Sequence, residues 1–247
     1  MSVAVQLPAR ILVTGASGQI GGAVVDRLVA DGTRITAVVR NERSRESVAD
    51  RYGDAVDVHV ADLDTEDGLA RAERLAAESD ALALCSGTTG PRIPVWEIAP
   101  EDWDRMAATN VRPVIRLVCA AVSAWIARSH PGAIVTLSSP GVPRAHRYRS
   151  VYDASRAAVE SFTRATAVDV GEHGIRVNGV RPAAVGIDAE DTPLRRGVRA
   201  LEVADGIRFL LSSESSAITG HHLDVDAGLL AALRSPAADR AGSESNG

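Results

Sequence analysis

Ile11-Leu12-Val13-Thr14-Gly15-Ala16-Ser17-Gly18-Gln19-Ile20-Gly21 is the stretch on which the reading of this chain turns. A short apolar run ends in glycines spaced three apart, and a helical apolar pattern from Val24 to Ala30 follows at once. Glycines allow positive φ and close backbone approach, and the N-terminus of the next helix offers unpaired N–H groups to an anion. A plain tight turn needs glycines too. Between the first strand and the first helix of an alternating chain, however, this pattern favours the pyrophosphate of a dinucleotide. Gly15, Ser17, Gly18, Gln19 and Ile20 are the residues expected to hold it.

Beyond the turn, short apolar runs alternate with longer amphipathic stretches. Ile11–Val13, Ile35–Val39, Val56–Val60, Ala81–Leu84, Ala133–Leu137, Arg176–Val180 and His222–Val225 read as strands. Most are continuously apolar, as parallel strands covered on both faces must be. Val24–Ala30, Leu69–Ala77, Trp103–Ala127 and Ala154–Val170 read as helices between them. This alternation predicts an α/β, Rossmann-type doubly wound fold, with a parallel sheet of about seven strands and helices on both faces. Residues 1–233 read as one domain, and the small, polar residues 234–247 as a disordered tail.

Composition narrows the functions. Of 247 residues, 27 are Lys or Arg and 32 Asp or Glu, a formal charge of −5 that argues against nucleic acid or an anionic membrane as partner. Cys85 and Cys119 match no metal or redox spacing and fit a reducing compartment, so no metal is expected. No basic leader precedes the first strand, and no apolar run approaches the roughly 18 residues of a membrane span. The expected location is the cytoplasm.

Cofactor type is read at the ends of the second and third strands. Val39 stands where an acid would hold a ribose 2′-hydroxyl, and Arg40 follows it. A guanidinium without that acid favours a 2′-phosphate. Asp62-Leu63 ends the third strand, where a carboxylate can meet an adenine amino group. Each of these is equally readable as a solvated surface charge when taken singly; together they point to NADP(H).

Farther along lie Asn110 within Ala108-Thr109-Asn110-Val111, Ser139 at the end of the fifth strand, and Tyr152-Asp153-Ala154-Ser155-Arg156 thirteen residues beyond it. With Arg176–Pro182 and Ile218–Asp226, these segments resemble the short-chain dehydrogenase/reductase family over nearly the whole chain. The resemblance implies hydride transfer between nicotinamide and a carbonyl carbon, with Tyr152 moving the proton, Ser139 holding the substrate oxygen, and Asn110 holding a relay water. Arg156, one helical turn from Tyr152, would supply the cation that a phenol titrating near 10 needs. Gly87, Tyr152, Arg156, Pro182 and Val185 would complete the cofactor site. The resemblance also implies a homodimer or homotetramer built through the fourth and fifth helices, where Ala157, Ala158 and Ala165 permit close contact.

The chain departs from the family pattern in telling places. Arg156 replaces lysine, and a guanidinium cannot release its proton at working pH. Gln19 replaces the middle glycine, Leu84-Cys85-Ser86-Gly87 replaces Asn-Asn-Ala-Gly with loss of an amide that steadies the sheet, Pro182-Ala183 replaces Pro-Gly, and Ile187 replaces a threonine. The short stretch from Pro182 to Glu202 implies an open pocket for a bulky substrate. The basic segment Arg144–Arg149 borders the pocket, either to meet an anionic substrate or as a solvated loop. The leading expectation is an NADP(H)-dependent carbonyl reductase or alcohol dehydrogenase using Ser-Tyr-Arg. Two alternatives stand beside it: a halohydrin dehalogenase-like lyase, whose triad is also Ser-Tyr-Arg, and a repurposed cofactor binder acting as a cyclase, dehydratase or regulator.

Overall fold

The computed structural model describes residues 5–183, 185–186 and 190–232. Ile187 and the tail 234–247 lie outside the described residues. Seven strands form one parallel sheet in the order β3-β2-β1-β4-β5-β6-β7: β1 (Arg10–Thr14), β2 (Arg34–Val39), β3 (Val56–Val60), β4 (Ala81–Leu84), β5 (Gly132–Leu137), β6 (Ile175–Pro182) and β7 (His222–Val225). Every one of the predicted strands is present. The helices are α1 (Gln19–Ala30), α2 (Glu42–Tyr52), α3 (Glu66–Glu78), α4 (Pro100–Asn110), α5 (Arg112–Ala127), α6 (Ser150–Val170) and α7 (Ala200–Leu211).

Alternation along each strand divides the core. Ile11 and Val13 of β1 pack with Val24, Leu28 and Ile207 on the face covered by α1 and α7. Leu12 between them points to the opposite face, with Leu117, Trp125, Val159 and Val177, beneath α3, α5 and α6. Burial on both faces explains why the strands read as apolar runs rather than alternating ones.

Trp103–Ala127 is not one helix. It breaks at Val111, because Pro113 has no N–H to donate to the carbonyl four residues earlier. Contrary to the sequence expectation, the stretch Pro100–Ala127 is long and apolar enough by length and composition to cross a membrane. Part of its apolar surface is nonetheless spent inside the fold: Val114, Leu117, Val118, Ala121 and Trp125 are all buried, and the Trp125 indole donates to the Ser79 carbonyl at 2.7 Å.

The strand order reverses between β1 and β4. Chain leaving β1 turns to one side of the sheet and chain leaving β4 to the other, which opens a crevice at their C-terminal ends. The candidate site lies there.

Candidate active site

At the C-terminal end of β1 the backbone of Gly15 adopts φ +64°, and a side chain there would meet the backbone of Ser86, with Cα only 3.0 Å away. A side chain at Gly21 would strike the Gly15 carbonyl oxygen. Gly18 caps α1, its N–H bonding the Gly15 oxygen at 2.9 Å. No side chain caps the first turn of α1 and no acid lies in it, so its N–H groups are left for an anion. The turn closes although Gln19 stands where the family has glycine. The Gln19 amide instead rests against Gly186, across the cleft in the segment after β6. The amide lost after β4 is made good locally. Thr14 Oγ1 donates to Ser86 Oγ and accepts the Ser86 N–H, each at 3.1 Å.

Two adjoining cavities continue from this turn. The larger, about 660 Å³, is lined by Gly15, Gly18, Gln19 and Ile20 at one end and by Ser139, Tyr152 and Arg156 at the other, with Gly87, Pro182 and Val185 between. The smaller, about 210 Å³, is lined by Ser17, Arg40, Leu63 and Asp64, and shares Gly15, Gly18 and Gly87 with the first. Asp62 lines neither: its carboxylate accepts the Asp64 N–H at 3.1 Å and lies 3.7 Å from Arg40. Arg40 reaches Asp64 at 3.1 Å and stays largely exposed. Cys85 faces both cavities, and burial pushes its thiol up to about 12, which makes it inert.

The reactive end is built by β5 and α6. Ser139 follows β5; its Oγ accepts the Gly141 N–H at 3.1 Å, which leaves its own hydroxyl proton free to be donated. Tyr152 sits in the first turn of α6, nearly buried. Arg156, one turn on, is only 6% exposed yet has no carboxylate partner among the described residues. Its Nη1 donates to the Leu137 carbonyl at 3.0 Å, its Cζ lies 5.5 Å from the Tyr152 ring centroid, and its Nε is buried without a partner. Gly87, at φ +154°, lets the guanidinium lie against the backbone; a side chain there would collide with it.

Asn110 lies behind the cavity wall rather than on it. Its Oδ1 accepts the Thr88 N–H at 2.8 Å, and its Nδ2 donates to the Thr88 carbonyl at 2.9 Å and to Ser155 Oγ at 3.1 Å. Both N–H groups of the amide are thus engaged in holding the segment after β4 against α6, which leaves the second lone pair of its oxygen as the position for a water.

Several lining residues carried no sequence signal. Thr88, Thr89 and Arg92 belong to the segment after β4, and Leu229 lies beyond β7. Of the basic stretch Arg144–Arg149, only His146 and Arg149 line the cavity. Arg144 bonds the Leu229 carbonyl, and Arg147 stacks on Tyr148.

The residues present suit a nicotinamide dinucleotide. The cradle at Gly15 and Gly21 admits no side chain, the start of α1 is uncapped, and Arg156 Nε is a buried donor without an acceptor among the described residues.

A family model described as enoyl-(acyl carrier protein) reductase matches residues 15–230. The chain is 33% identical to L-xylulose reductase of Bos taurus, over 90% of this chain and 96% of that one. It is 31% identical to glucose 1-dehydrogenase of Gluconobacter oxydans, over 89% and 91%. A solved structure of a short-chain dehydrogenase/reductase family protein superposes with a TM-score of 0.85 at 32% identity, over 90% of this chain and 97% of that one.

Proposed function

The chain belongs to the short-chain dehydrogenase/reductase family of oxidoreductases, and from that premise we propose that it is an NADP(H)-dependent carbonyl reductase or alcohol dehydrogenase working through Ser139, Tyr152 and Arg156. The observation that carries this reading is the convergence of those three side chains on one cavity that runs on to the glycine turn. When bound, NADP(H) supplies or accepts the hydride. Ser139 donates a hydrogen bond to the carbonyl oxygen and fixes it, keeping its own proton. Tyr152 delivers the proton that completes the alcohol. Arg156 offers a permanent charge beside the ring left behind, and its unpaired Nε is available to a ribose hydroxyl. The first turn of α1 and the backbone of Gly15, Ser17 and Gly18 take the pyrophosphate.

Preference for NADP(H) rests on Arg40 beside Val39. Asp64 and Asp62 steady the guanidinium without burying it. A hydrogen bond from a charged group is worth about 1.5–3 kcal/mol, so NADPH is expected to bind roughly ten-fold or more tightly than NADH. Fluorescence titration of both nucleotides reads this, with Arg40→Asp expected to reverse the order. Equal affinities, unchanged in Arg40→Asp, would remove the basis for the preference.

The dehalogenase-like reading keeps one observation in its favour, the Ser-Tyr-Arg set itself. It has no use for Arg40 or for an uncapped glycine cradle. Tight NADPH binding separates the two.

Residues 1–233 act as one catalytic domain in this reading, in the cytoplasm, with the protein assembled as a dimer or tetramer. Ile115, Ile126 and Val168 are apolar and exposed on α5 and α6, and Ala165 is exposed beside them, so two copies of this helix pair can meet closely.

A further inference from the structure

Building on the reductase reading, we propose that the mouth of the Tyr152 cavity is an oxyanion subsite, and that the substrate carries a carboxylate or phosphate a few bonds from its carbonyl carbon. The charge on the cavity wall is one-sided. Arg92, Arg149 and Arg156 line it, beside the imidazole of His146, and no Asp or Glu does so among the described residues. Elsewhere several arginines hold a carboxylate, among them Arg27, Arg51, Arg116 and Arg208. Neither Arg92 nor Arg149 has such a partner among the described residues. Arg156 is committed to the Tyr152 side, whereas Arg149 is bonded to the segment after β4 that carries Arg92.

The Arg149 guanidinium is held in place, and the backbone that carries Arg92 is tied to it. Arg149 precedes α6, and its Nη1 donates to the carbonyls of Thr89 at 2.9 Å and Gly90 at 3.4 Å, which leaves the rest of the guanidinium fork to a ligand. The Ile93 N–H bonds the Tyr148 carbonyl at 2.8 Å, joining the segment that carries Arg92 to the one that carries Arg149. Tyr148 adopts φ +65°, a conformation a bulky residue holds only where its surroundings impose it, and strain of this kind collects at ligand sites. Asn110 clamps Thr88 at the root of the same segment. Both oxygens of Asp153 are spent on His146, one on its N–H and one on Nδ1, each at 2.8 Å. That carboxylate is therefore engaged at the edge of the site, and Nε2 of the imidazole remains for the cavity.

Proximity sets the substrate class. Arg149 stands three residues before Tyr152, about one turn of α6, at the end of the helix where negative charge is favoured. An anion seated on Arg149 and Arg92 lies close to the carbonyl that Tyr152 serves. A short oxo-acid or a phosphorylated ketose carries an anion and a carbonyl in one small molecule, as a cavity with both features asks, and a carbonyl compound without charge leaves the two guanidinium groups unmatched.

The test uses matched pairs on the full chain: pyruvate, acetoacetate and levulinate against their methyl esters, and dihydroxyacetone phosphate against dihydroxyacetone. Titration calorimetry is run on protein saturated with NADP⁺, which cannot reduce a ketone, so binding is read without turnover. At least one anion is expected to bind about ten-fold more tightly than its neutral partner, with the advantage shrinking as salt rises. The carboxylate and phosphate arms identify which oxyanion it is. Arg149→Gln and Arg92→Gln should each cut the anion-to-neutral ratio about ten-fold. Arg92 has no hydrogen bond or ion pair among the described residues to lose, which guards against a variant that merely unfolds. Equal affinity within every pair, or a preference that survives both substitutions, overturns the subsite. Parallel assays of NADPH consumption keep the two readings apart. Arginine-dependent anion binding with no NADPH oxidised by any pair would leave the subsite standing and sink the reductase, whereas turnover equally good with neutral partners would do the reverse.

Discussion

Tyr152→Phe is expected to lower kcat by about 10³-fold while NADPH binding stays within about two-fold of wild type. The substitution removes one hydroxyl from a nearly buried ring and leaves the ring's packing and its neighbour Arg156 in place. Without that hydroxyl the assigned proton step is lost, because Arg156 cannot give up a proton and Ser139 holds the oxygen without protonating it. Ser139→Ala should cost less, about 10²-fold, since it removes a hydrogen bond to the oxygen but not the proton. Steady-state assays with a responsive carbonyl compound, paired with nucleotide titration, separate the two effects. Wild-type turnover in Tyr152→Phe would move the proton step elsewhere. The nearest candidate is His146, whose ring centroid lies 6.3 Å from that of Tyr152.

Glu160→Ala carries the second large effect, on stability. Glu160 is 1% exposed and lies one turn past Arg156 on α6. It accepts from Ser138 Oγ at 2.6 Å and from Arg181 Nε and Nη2 at 2.6 and 2.9 Å, tying α6 to β5 and β6 directly below the reactive end. Burial pushes the carboxyl up, but the hydrogen bonds from Arg181 and Ser138 outweigh it and hold the group below the usual carboxylate range. Arg181 keeps Asp224 at 2.9 Å, so the loss falls at the lower end of the roughly 3–5 kcal/mol that breaking a buried ion pair costs. At this chain length that corresponds to a fall in Tm of roughly 10 °C.

His222, packed against Gly179 on the neighbouring strand, adds an acid limit to the same region. Burial pulls its imidazole down to about 4, and its Nε2 has no partner among the described residues. The unfolded chain takes up the proton near 6.5 while the folded one resists it, so this stabilisation is complete above 6.5 and fades as pH falls toward 4. A loss of roughly 2–3 kcal/mol across that window is expected, measurable by denaturant titration at stepped pH. It should vanish in His222→Gln.

The sequence reveals what is repeated or closely spaced. The strands were legible because each is an apolar run bounded by polar punctuation. The Gly15 turn and Tyr152-x-x-x-Arg156 were legible because their partners lie within a few residues of one another. The break at Val111 was missed because the apolar pattern runs straight through Pro113, although proline itself marks the place. α2 carries a single buried residue, Val48, and so shows almost no apolar stripe. The oxyanion rim was only half visible. Arg149 stood out in a basic cluster, but Arg92 reaches the cavity through the pairing of Ile93 with Tyr148, residues distant in sequence. Asn110 was found by its motif, yet its partners are backbone atoms of a segment that has no pattern.

Hydride transfer itself can be followed with label. The enzyme is incubated with NADPH carrying deuterium at both C4 positions and a panel of ketones and oxo-acids, and the alcohols formed are analysed by mass spectrometry. Wild-type enzyme should place one deuterium on the carbinol carbon of at least one product, and Tyr152→Phe should place almost none. Deuterium retained in the nucleotide with every carbonyl compound, together with halide released from a vicinal haloalcohol when no nucleotide is present, would contradict the assignment.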